Sequence, residues 1–166
     1  IRVDALSEPY ALILHDEAAS HVPLNLPSPP ALIIGAARPA QRSPGAVSKK
    51  ASAFASQAVQ SGVAEAAQAY GAASAHWSLD ADLAPLLAQA GLTHVAVPYL
   101  PTGWTRDALW PQLSPMVDNI QAHILLGDLD RATWPYAKAG FFGVKKQIDK
   151  ILRELSITGG QLSLAI

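Results

Sequence analysis

Three stretches of the sequence hold residues whose types could do chemistry. In "LHDE", His15, Asp16 and Glu17 follow an apolar run directly. An imidazole beside carboxylates is the raw material of a general base. Adjacent side chains in extended chain point in opposite directions, so at most one or two of the three face a common cleft. No catalytic role is assigned to the trio. In "IIGAARPAQRSPG", Arg38 and Arg42 lie between two glycines. The stretch reads as a surface loop with solvated arginines, with an anion cradle as the alternative. In "VPYLPTGW", Tyr99 and Trp104 offer flat apolar faces held among Pro98, Pro101 and Gly103. A rigid loop of this kind loses little entropy when it binds.

Other chemistries lack their residues. There is no cysteine, so disulfides, thiolate metal sites and a cysteine nucleophile are excluded. His15, His21, His76, His94 and His123 are scattered, with no i,i+4 pair of the kind zinc sites favour. Each is read as a structural histidine, and no metal is expected. The glycine-rich phosphate motifs and the G-x-S-x-G elbow of hydrolases do not occur.

The elements that must position these residues follow from hydropathy. Short apolar runs predict strands near 10–15, 31–35, 72–77, 93–98 and 121–126. Helices are predicted near 47–70, 80–90, 105–119 and 141–155. Ser48 is placed to cap the first of these and Gly71 to end it. Phe54, Ala58, Val59 and Val63 are expected near its inner face. Phe142, Ile148, Ile151, Leu152 and Leu155 form an apolar stripe on the last, so Trp134, Phe141 and Phe142 are expected to be structural. Four prolines between Pro23 and Pro30 rule out a helix or a central strand there. Strands alternating with helices imply a three-layer α/β/α, Rossmann-like fold around a mostly parallel five-stranded sheet.

Ligands of such sheets bind at the carboxyl ends of the strands, where neighbouring connections leave in opposite directions. The first and fourth strands are expected to be such neighbours. A ligand site should therefore be lined by Asp16, Arg42, Tyr99 and Trp104.

The chain has 166 residues, the size of one domain, and 1–166 is read as a single α/β domain. Its 12 basic and 13 acidic residues leave a net charge of −1, with no global pull toward nucleic acid or anionic membrane. No apolar run approaches the roughly 18 residues of a membrane span. The N-terminus has neither an initiator methionine nor a signal pattern, so the chain is expected to be a piece of a longer, cytoplasmic protein.

Most of residues 10–155 resembles the α/β domain of the photolyase and cryptochrome superfamily. The likeness is carried by "AQRSP" (Ala40–Pro44), "PYLPTG" (Pro98–Gly103) and "WPYAKAGFFGVKKQI" (Trp134–Ile148), the last being the most specific. It is closest to a bacterial branch of photolyase-like, FAD-binding proteins in which a helical flavin domain precedes the α/β segment. The resemblance implies a non-catalytic module that packs against a flavin domain of the same parent protein or holds an antenna-type chromophore. FAD would then belong to that other domain, because nothing here resembles its flavin cradle or its tryptophan chain. The alternative is a free-standing nucleotide or small-molecule binding protein.

Overall fold

A computed structural model describes residues 6–78, 80–113 and 120–155. The chain divides into two compact units, residues 1–125 and 126–166. The first holds a five-stranded sheet of β1 (Tyr10–His15), β2 (Leu32–Ala36), β3 (Ala73–His76), β4 (His94–Pro98) and β5 (Gln121–Leu125). The order is β3-β2-β1-β4-β5, and every pairing is parallel. This is the doubly wound order, with its reversal between β1 and β4.

The central strands are apolar on both faces, as burial between two layers requires. Ala11 and Ile13 of β1 face one core cluster with Val95 and Val97 of β4. Tyr10, Leu12 and Leu14 face the other, with Ile33 and Ala96. Helices α2 (Leu83–Gln89) and α3 (Trp104–Leu113) cover the first face through Leu83, Leu87, Leu109 and Leu113. Helix α1 (Lys49–Tyr70) covers the second, where Ala66 is buried and Val63, Ala67 and Tyr70 pack alongside it.

α1 begins where Ser48 Oγ accepts from the Ala51 N–H, 3.2 Å away. It ends at Gly71, whose left-handed φ of 63° suits glycine. Its buried stripe is Ala55, Val59, Gly62 and Ala66. Val59 and Val63 lie on the inner face as expected, but Phe54 is 73% exposed. Gly62 is required by a close approach: a Cβ there would stand 1.6 Å from the Ala19 carbonyl oxygen. The β1–β2 connection therefore runs directly against α1. That connection has no helix, and its prolines explain why. Leu24 and Leu26 reach from it onto the second cluster, and the buried Tyr10 donates its hydroxyl proton to the Ser28 carbonyl.

α3 runs through Pro111, which lies inside the helix. The remainder of the helix expected to 119 lies outside the described residues, as does the tail after 155.

In the second unit, α4 (Asp128–Thr133) leads into a 3₁₀ turn over Trp134–Ala139, then α5 (Phe141–Lys145) and α6 (Ile148–Glu154). The single helix expected over 141–155 is thus two. A tight bond from the Gln147 N–H to the Val144 carbonyl, 2.8 Å, closes the break. The break overturns the apolar stripe. Ile151 is buried, but Phe142 is 71% exposed, Phe141 68% and Trp134 45%. The expectation that these three aromatics are buried structural groups is corrected accordingly. Among the described residues, no helix is long and apolar enough to cross a membrane.

Candidate functional site

The carboxyl edge of the sheet gathers the ends of β1, β2, β3 and β4, and polar side chains there tie these ends together. β1 closes with a tight turn in which the Ala18 N–H bonds the His15 carbonyl at 2.9 Å. His15 itself is fully buried. Its Nδ1 accepts from the Glu17 N–H, and its Nε2 stands 3.3 Å from the Pro98 carbonyl. Because Nδ1 accepts, the ring proton is on Nε2 and is donated to Pro98. Burial lowers the His15 pKa, against smaller opposing effects of the Pro98 bond, Asp16 and Glu17. The imidazole is a neutral tether across the β1–β4 reversal. It has no free nitrogen for a substrate.

Arg38 follows β2 and is 3% exposed. This overturns its reading as a solvated loop arginine. Its Nη1 donates to the carbonyls of Ala37 and Trp77, each at 2.9 Å, and Nη2 reaches the Ser78 carbonyl at 3.4 Å. The guanidinium also lies 4.8 Å from the centre of the Trp77 ring. Burial lowers its pKa, and the charges of Asp16 and Asp80 oppose that. Arginine presents a fixed planar fork of donors and stays charged even here, so it can join β2 to β3 in a way that lysine cannot. Trp77 is locked in turn by a bond from its Nε1 to the Ala81 carbonyl, 2.8 Å.

Of the four residues expected to line a ligand site, Asp16 ties β1 to β2, its Oδ1 accepting from the Arg38 N–H at 3.2 Å. Tyr99 follows β4, and its backbone N–H bonds the Leu125 carbonyl at 2.8 Å. Arg42 ends a 3₁₀ turn over Pro39–Arg42 that packs against α3, and Trp104 opens α3. The side chains of Arg42 and Trp104 lie outside what the structure describes. All four positions fall on segments leaving the same edge of the sheet. The structure adds Thr105, which starts a buried stripe with Leu109 and Leu113. Its Oγ1 and the Nε of Arg38 are buried with no hydrogen-bond partner.

The signals for these additions were present but weak. Thr105 stands at i,i+4 spacing with Leu109, which marks it as inward. Arg38 stands just past a strand end, where a donor fork can reach a neighbouring strand. A groove of about 420 Å³ runs between α1 and the strands β2 and β3, lined by small residues and His76. Gly35, Ala37 and His76 put one end of it at the carboxyl ends of β2 and β3, next to Arg38 and Trp77. Among the described residues, no three or more His, Asp or Glu side chains group as a metal site.

Compared with known proteins, the chain matches no family model, no curated protein and no solved structure.

Proposed function

We propose that the chain is a non-catalytic α/β module of a photolyase-like flavoprotein, whose work is to pack against a flavin domain. The observation that carries this reading is the state of the carboxyl edge. Where an enzyme of this fold would hold a free base or cation, His15 has both nitrogens engaged and Arg38 bonds three backbone carbonyls. Those groups hold strand ends together, which is what a scaffold needs. Two further features favour the reading. The all-parallel doubly wound sheet is the architecture the resemblance implies. The segment carrying its most specific motif also exposes Trp134, Phe141 and Phe142. Exposed large apolar side chains in one short segment are the usual material of an interface.

A second reading, a small-molecule or antenna-type ligand at the β1–β4 reversal, is favoured by one observation. Thr105 Oγ1 and Arg38 Nε are buried donors without partners, and buried polar groups ordinarily have them. Titrating flavins, deazaflavins, pterins and nucleotides against the chain, followed by tryptophan fluorescence, separates the two. The docking module shows no saturable change at millimolar ligand. Saturable binding that Trp104→Ala or Thr105→Val abolishes would establish the second reading instead.

A further inference from the structure

Away from the carboxyl edge, two histidines that are 29 residues apart in sequence meet on adjacent strands. His94 opens β4 and His123 is the middle residue of β5. The β4–β5 register pairs His94 with Gln121 and Ala96 with His123. His94 and His123 are thus diagonal neighbours on one face, since residues two apart on a strand share a face. That face is the one to which Ala96 and Leu125 belong. The two rings are nearly parallel, 14° apart, with centroids separated by 5.4 Å. His94 Nδ1 and His123 Nε2 face each other at 3.1 Å. Both residues are half-buried.

We propose that this pair is a two-histidine site for a divalent late transition metal such as Cu²⁺, Ni²⁺ or Zn²⁺. The spacing carries the argument. Zinc–imidazole bonds of roughly 2.0–2.1 Å at a tetrahedral angle put two ligand nitrogens about 3.3–3.4 Å apart. A square arrangement with bonds of about 2.0 Å puts them about 2.8–2.9 Å apart. The observed 3.1 Å falls between these, so the nitrogen separation already suits a shared metal, and the rings, which now face each other in a hydrogen bond, rotate to converge their lone pairs on it. The strand ladder sets that spacing before any metal arrives. Imidazole nitrogens suit copper, nickel and zinc, and hard cations prefer oxygen.

The proton balance is simple. With both rings neutral, the one proton between the facing nitrogens moves through solvent to the far nitrogen of its own ring. Both facing lone pairs then turn to the metal, and no net proton is released. The remaining coordination positions are filled by water, since no group of three ligating side chains exists among the described residues. Such a site is exchangeable and modest in affinity, with Cu²⁺ bound more tightly than Zn²⁺. Its mechanical effect is to staple the edge strand β5 to β4. This inference is independent of the docking reading.

The test is calorimetric titration of the intact chain with Cu²⁺ and with Zn²⁺ in a non-coordinating buffer at neutral pH. The expected result is one metal per chain, Cu²⁺ tighter than Zn²⁺. His94→Gln and His123→Gln should each weaken binding at least tenfold, and His76→Gln should leave it unchanged. Should a glutamine variant fail to fold by circular dichroism, Cu²⁺ broadening of the wild-type histidine ring signals in NMR takes its place. The His94 and His123 signals should then disappear first. No binding by wild type, binding by both glutamine variants as tight as wild type, or first broadening at His21 or His76 would overturn the proposal.

Discussion

Replacing Arg38 with methionine tests whether the carboxyl edge is a structural knot. Methionine keeps most of the length and apolar contact of the side chain but removes every donor. The bond to Trp77 at 2.9 Å is the main loss, because it joins two strand ends that share no covalent neighbour. A hydrogen bond from a charged group contributes about 1.5–3 kcal/mol. The cation–π contact over Trp77 at 4.8 Å adds about 0.5–2 kcal/mol. The contact to Ser78 at 3.4 Å is long enough to neglect. Relief of the guanidinium's own desolvation offsets part of the sum. A net loss of about 2–4 kcal/mol follows. For a chain of this size each kcal/mol moves Tm by roughly 2–4 °C, so Tm should fall by about 4–16 °C. Urea unfolding followed by fluorescence and near-ultraviolet circular dichroism measures the free energy. Arg38→Lys, which keeps the charge but not the planar fork, should fall between the two. If Arg38→Met lies within about 0.5 kcal/mol of wild type, as surface changes do, the knot does not exist.

Gly62→Ala should destabilise by about 1–3 kcal/mol or more, although alanine is the better helix former, because the new methyl meets the Ala19 backbone; a stabilised variant in urea unfolding would disprove the close approach. The pKa of His15 is depressed by burial below its ordinary 6.5, so the unfolded chain takes up the proton first. The contribution of His15 to stability is therefore complete above pH 6.5 and declines as pH falls from there toward the folded value. Nitrogen-15 NMR should show a neutral Nε2–H tautomer at pH 6.5; a charged ring at that pH would contradict the tether. Phe141→Ser and Phe142→Ser should each change stability by no more than about 0.5 kcal/mol in thermal melts, since both rings are exposed. A loss of about 3–5 kcal/mol is what a buried phenylalanine would give.

The sheet was legible because its strands advertise themselves. β1, β2 and β4 are buried on both faces, and nothing but a near-continuous apolar run satisfies that. The β1–β4 reversal was read from the Rossmann-like fold as a whole and not from any local pattern, and the ends of α1 followed from Ser48 and Gly71. The failures share a different cause. Arg38 read as solvated because a loop arginine usually is, and its partners, Trp77 and Ser78, come from another strand end. The His94–His123 pair depends on the β4–β5 register, which no local pattern encodes. The stripe over 141–155 has good helical spacing, yet the helix breaks at Lys146 and Gln147, where no glycine or proline marks a stop. Phe141 and Phe142 were misplaced for that reason. The site residues Asp16 and Tyr99 were correctly put at strand ends, but the bond that engages Asp16 belongs to the backbone of Arg38 and was invisible in the sequence.

The central claim is that this chain serves a flavin domain and does not itself bind the flavin. An absorption spectrum tests it directly, taken in parallel on the protein purified from its complete reading frame and on the 166-residue chain alone. The account predicts the visible bands of an oxidised flavin in the first and none in the second. A colourless complete protein, or flavin retained by the isolated chain, would contradict it.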